Sequence, residues 1–103
     1  MRNKYGAKRT WSELTQREYA SKAECLRGEE LALLEKVGEI SDLHYQVRFV
    51  LCEKPKITYR ADFEYIENGK RIVEDVKGML TRETRVKLAW LKEQTGIEVL
   101  LTK

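Results

Sequence analysis

The stretch that decides the fold is Ala61-Asp62-Phe63-Glu64-Tyr65-Ile66-Glu67-Asn68-Gly69-Lys70-Arg71-Ile72-Val73-Glu74-Asp75-Val76-Lys77. Two alternating runs, Ile57 to Ile66 and Arg71 to Val76, flank Asn68-Gly69. Alternation is what a half-buried strand requires. Asn-Gly between two such runs favours a two-residue turn, because both residues tolerate the positive φ that matches the twist of the strands. With that turn Glu67 pairs with Lys70, and stepping back pair by pair sets Asp62 opposite Asp75. Opposed residues project to one face with β-carbons about 4.5–5.5 Å apart. Lys77, two positions beyond Asp75, projects to that face as well, whereas Glu74 points away beside Phe63.

Two facing carboxylates repel unless positive charge stands between them. Lys77 supplies part of that charge, and a hard divalent cation supplies it better. Mg²⁺, or Mn²⁺ in its place, takes one or two carboxylates and leaves room for water and a substrate phosphate. Such an ion polarises a phosphoryl oxygen, and an adjacent lysine orients the attacking water and offsets charge on the phosphate. The competing reading is an ordinary surface hairpin whose acids pair with neighbouring lysines.

Outward from the hairpin, Ser21 with Glu24 three residues on forms a capping box that opens a helix. Leu26, Leu33, Leu34 and Val37 follow helical spacing as its apolar set, and Gly38 stops it. Leu43, Tyr45, Val47, Phe49 and Leu51 alternate as one face of a strand. A second helix fits Arg82 to Thr95, with Val86, Ala89 and Trp90 inward, and Ile97 to Leu101 reads as a final buried strand. The expected class is α/β (α+β) with α-β-β-β-α-β order. Residues 1–20 read as an irregular basic N-terminal arm and 21–103 as a single domain.

A chain of 103 residues supports one modest core. Its apolar runs are far too short for a membrane span and no secretory signal precedes the first charges, so a cytoplasmic protein is expected. Cys25 and Cys52 lack CxxC spacing and are expected as reduced thiols. A net charge of +3 is mild, but Arg2, Lys4, Lys8 and Arg9 cluster without an acid, and local clusters are what phosphate neutralisation uses. Tyr5 and Trp11 interleave aromatics with these bases, as strand-binding surfaces do, and Lys87 and Lys92 stand on the second helix. With His44 the only histidine, a zinc site of His and Cys and a Ser-His-Asp triad both lack parts. No nucleotide-binding glycine motif is present.

Asp62 followed by Asp75-Val76-Lys77 across a hairpin resembles the signature of the PD-(D/E)XK nuclease superfamily. Lys4 to Thr10, Ser21 to Glu24, Gly38 to Ile40, Ala61 to Phe63 and Val73 to Gly78 are similar to a family of small phage-encoded nucleases, which is related in turn to Holliday junction resolvases. The resemblance implies a restriction-endonuclease-like core, a mixed central sheet flanked by helices. It implies Asp62 and Asp75 as metal ligands, Glu24 as a third acid from the first helix, and Lys77 as the catalytic lysine. It also implies Gln46 near the site, branched DNA as substrate and a homodimer to cut two strands; beside Gln46, the basic and aromatic residues Lys4, Tyr5, Lys8, Arg9 and Lys87 are the expected DNA contacts. Ala61 departs from the proline of the motif, and Gly28 replaces a frequent aromatic at a cost of about 1 kcal/mol in helix propensity. The alternatives are a monomeric nicking or repair nuclease of the same fold, or a non-catalytic DNA-binding phage protein.

Overall fold

Asn68 and Gly69 adopt φ of 54° and 75°, the pair of positive angles that a tight hairpin turn demands. This turn joins β4 (Lys56–Glu67) to β5 (Lys70–Val76), and the register runs unbroken from Glu67 opposite Lys70 to Phe63 opposite Glu74. The ladder ends at that pair, and one residue further the Asp62 carboxylate accepts the Val76 backbone N–H at 2.8 Å. The structure, a computed structural model, describes residues 8–103. β3 (Ser41–Glu53) pairs antiparallel with β4, and β6 (Leu100–Thr102) pairs parallel with β5. The result is a mixed four-stranded sheet in the order β3-β4-β5-β6, an α+β arrangement completed by two helices. No helix among the described residues is long and apolar enough to cross a membrane.

The first helix, α1 (Lys22–Lys36), starts with the serine half of the expected capping box, Ser21 Oγ accepting the Glu24 backbone N–H at 3.1 Å, while the Glu24 carboxylate turns to Gln46. It ends where Gly38 takes φ of 85° and the Glu39 N–H reaches the Leu34 carbonyl at 2.9 Å. Its inward face differs from the apolar stripe expected. Glu24, Cys25, Gly28 and Leu31 are buried with Leu34 partly so, whereas Leu26, Leu33 and Val37 are exposed. The reason is a short β-hairpin, β1 (Thr10–Ser12) and β2 (Arg17–Tyr19), formed by part of the segment expected to be irregular. Tyr19 of this hairpin lies over Gly28, where any β-carbon would stand 2.5 Å from its hydroxyl oxygen. Ser12 adds a hydrogen bond to Glu29 at 2.7 Å. The glycine is a seat for a tyrosine, and the helix turns its polar-flanked side to the core.

Two cores flank the sheet. Tyr19, Cys25, Leu31, Ile40, Phe63 and Tyr65 form one with α1. Leu51, Tyr59, Ala61, Val73 and Leu91 form the other with α2 (Arg82–Thr95). Leu43 and Tyr45 pack in the first while Phe49 and Leu51 pack in the second, so the alternating residues of β3 do not share one core. Between them Gln46 sits at φ of 54°, a left-handed conformation that costs a non-glycine residue on the order of 1 kcal/mol. On α2 the inward residues are Leu91, Leu88 and Trp90, while Val86 and Ala89 face out, a correction of the sequence reading. The terminal strand is likewise shorter than expected and lies at the sheet edge, where Leu100 and Leu101 stay exposed.

Candidate active site

Asp75 sits on β5 only 1% exposed, and Asp62 on β4 is half-buried beside it. Asp62 accepts the Val76 backbone N–H at 2.8 Å on one carboxylate oxygen, and the other receives the Gln46 amide at 3.5 Å. Burial raises the Asp62 carboxyl well above the usual carboxylate range. The hydrogen bond and charge of Asp75 and then the charge of Glu24 add to the rise, and the Val76 N–H opposes it. Asp75 accepts the Tyr59 hydroxyl and lies 3.3 Å from Lys77 Nζ. Burial and then the carboxylate of Asp75 push the Tyr59 hydroxyl upward, so the phenol stays a proton donor. Asp62, Asp75 and Lys77 thus lie together, through side-chain contacts beyond the last paired residues of the hairpin.

Glu24 reaches the same place from α1. It is 6% exposed and accepts the second contact of the Gln46 amide at 3.1 Å. Burial raises its carboxyl, Asp75 raises it further, and the Ala20 backbone N–H with Arg17 and Arg9 pull it back. Capping and site membership are thus compatible, because the cap uses the Glu24 backbone N–H and leaves its carboxylate free to turn inward. Gln46, at the break between the two cores, links Glu24 of one helix to Asp62 of the sheet.

The donor set is hard oxygen throughout, with a single lysine as near counter-charge. Asp62 and Asp75 together suit Mg²⁺ or Mn²⁺, which need no more than one or two carboxylates from the protein. Among the described residues no group of three or more histidine, cysteine, aspartate or glutamate side chains is gathered as a ready ligand set. Glu24 accordingly enters as a neighbour joined through Gln46. Both cysteines are free thiols.

Glu74 faces the other core, as the register required. There Arg27 grips it through Nε at 2.6 Å and Nη2 at 2.9 Å, with the Tyr65 hydroxyl at 2.7 Å and the Thr102 hydroxyl at 3.0 Å. Burial alone would raise this carboxyl, but these donors win and hold it below its ordinary value.

Of the expected DNA contacts, Lys8 and Arg9 lie exposed before β1, with Arg9 paired to Glu18 at 2.8 Å. Among the described residues, Lys87 on α2 has Glu83 as its one ionic neighbour, at 4.0 Å. Lys4 and Tyr5 lie outside the described residues. Sequence reasoning missed Tyr59, whose place in an alternating run marks it only as core. It also missed Arg17, which stacks 3.9 Å over the Tyr45 ring and counters the charge of Glu24.

The fold and site together define an α+β protein with a carboxylate–lysine cluster where two antiparallel strands meet a helix. The chain belongs to the family described as Protein of unknown function (DUF1064), which it matches over residues 2–95. No curated protein and no solved structure matches it.

Proposed function

We propose that the chain is a metal-dependent DNA endonuclease of the PD-(D/E)XK type, with a restriction-endonuclease-like core, acting in the cytoplasm on branched DNA. The observation that carries this reading is the convergence of Asp62, Asp75 and Lys77, with Lys77 Nζ 3.3 Å from the Asp75 carboxylate. Asp62 and Asp75 would hold Mg²⁺ or Mn²⁺, with Glu24 assisting through Gln46. The chemistry such an ion supplies when bound is Lewis-acid polarisation of a phosphoryl oxygen. Lys77 sets a cation where negative charge builds on the phosphate and donates a hydrogen bond to the attacking water. Tyr59 holds Asp75, and the Val76 N–H holds Asp62, so neither carboxylate has to be ordered at the moment of reaction.

Branched DNA rests on the resemblance to Holliday junction resolvases. Cutting two strands of a junction calls for a homodimer, and the exposed Leu26, Leu33 and Val37 of α1 offer apolar surface for one. The test is cleavage of a four-way junction, a nicked flap and a linear duplex with Mg²⁺, Mn²⁺ or EDTA. Metal-dependent cutting that drops at least about 100-fold in Asp62→Asn and Lys77→Ala is expected. Absence of cutting with either metal, or cutting by these variants at the parent rate, would refute the proposal. Sizing of the DNA-free protein tests the dimer separately.

A further inference from the structure

An open groove of about 660 Å³ runs between the first half of α2 and the start of β4, away from the carboxylates. Its walls are Lys56, Arg82 and Lys87 against a single acid, Glu83, and its apolar floor is Ile57, Val86 and Trp90. Among the described residues neither Lys56 nor Arg82 makes an ion pair, and the Glu83–Lys87 pair is long at 4.0 Å. Three cations therefore border the groove with little of their charge answered. Val86 is 54% exposed within it, beside the half-buried Trp90. An occupant that satisfies both walls and floor is anionic at regular intervals and carries flat apolar faces. A strand of nucleic acid has that chemistry, with phosphates for the lysines and arginine and bases for an indole. An acidic peptide answers the charges but leaves the tryptophan and valine uncovered.

The groove and Asp62 nevertheless share β4. Trp90 packs in the same cluster as Tyr59, whose hydroxyl holds Asp75. Thr58, on the groove wall, is four residues along β4 from Asp62, roughly 13 Å at the strand rise. We infer that this groove binds the single-stranded flank of DNA held at Asp62 and Asp75, with Lys56, Arg82 and Lys87 on its phosphates and Trp90 against a base. The inference rests on the nuclease reading for its substrate but not for its measurement, since binding is read with no metal present.

Trp11→Phe leaves Trp90 as the sole tryptophan of the two in the chain, so its fluorescence reports the groove. Titration with a short oligothymidylate in EDTA is expected to quench that signal. The triple variant Lys56→Ala/Arg82→Ala/Lys87→Ala should bind at least about ten-fold more weakly. Its slope of log affinity against log salt should fall by about 2, at about 0.7 for each lost phosphate contact. Trp90→Phe, checked for folding by circular dichroism and titrated against a fluorescently labelled oligothymidylate by anisotropy, should bind about five-fold more weakly or worse than the parent in the same assay. An oligonucleotide bound equally well by the triple variant, or equal quenching by polyglutamate of matched charge, would overturn the inference. Metal-dependent cleavage by the parent with no oligonucleotide signal in the groove would remove the groove and spare the nuclease. Groove binding without any cleavage would do the reverse.

Discussion

Glu74 and Asp75 are adjacent, both buried, and held in opposite ways. Glu74 has a guanidinium and two hydroxyls, while Asp75 shares its surroundings with Asp62 and Glu24 and, among the described residues, pairs with Lys77 as its one cation. Satisfied burial serves stability, and crowded burial costs it. The carboxyl of Asp62 is raised in the fold, so its neutral form is favoured there. The contribution of Asp62 to stability is then greatest below the ordinary carboxylate range and is lost as pH rises through the raised value. Asp62→Asn imitates the neutral form. It should be more stable than the parent by on the order of 1–2 kcal/mol near pH 8.5, with the gap closing near pH 4, in urea unfolding with EDTA. A variant less stable than the parent at both values would show that the cluster is not repulsive. Glu74 behaves inversely. Its lowered carboxyl contributes stability above the ordinary range, and that contribution is lost as pH falls through the lowered value. Arg27→Met, which strands Glu74 at 0% exposure, should cost about 3–5 kcal/mol at neutral pH and much less in acid.

At the scale of elements, α1 shows how the protein spends apolar residues. Leu26, Leu33 and Val37 look out while Gly28 looks in, because Tyr19 needs the space a side chain would take. Tyr19 cannot easily retreat, since Thr15 holds its hydroxyl at 2.8 Å and Tyr45 stands edge-on to its ring. Gly28→Ala gains about 1 kcal/mol in helix propensity and meets overpacking of about 1–3 kcal/mol. A net loss of up to about 2 kcal/mol in urea is expected, turning to a gain in a Tyr19→Ala background, where the clash is gone. A stabilised Gly28→Ala single variant would mean that the tyrosine moves freely. The same helix marks the limit of sequence reading. The β4–β5 register was legible because Asn68-Gly69 has one good solution and every later pair follows from it. The inward face of α1 was not legible, since it is built from Glu24, Cys25 and Gly28 while the leucines stand elsewhere. Nor were β1 and β2, whose three residues each show no period, or the left-handed Gln46, a residue type that gives no signal of it.

Across the whole molecule, the carboxylates lie where the two cores meet. Gln46 and Glu24 tie Asp62 to the α1 side, and Tyr59 ties Asp75 to the α2 side. Each core alone is small, so charge repulsion at their junction bears on the entire fold. A divalent cation taken up by Asp62 and Asp75 would relieve that repulsion and bind the folded chain only. Such binding stabilises by RT ln(1 + [L]/Kd), about 1.4 kcal/mol when the ion is at ten times its dissociation constant. For a domain of this size that is a rise of about 5–10 °C in the melting temperature. Millimolar Mg²⁺ or Mn²⁺ should therefore raise the melting temperature of the parent measured by circular dichroism. The shift should vanish in Asp62→Asn/Asp75→Asn, although this variant starts from a relieved junction. Leu91→Ala, which weakens the α2 core by about 2–5 kcal/mol, should lower the melting temperature yet keep the metal-induced rise. Equal rises in the parent and the double Asn variant would locate the ion elsewhere on the protein and remove the paired aspartates as its ligands.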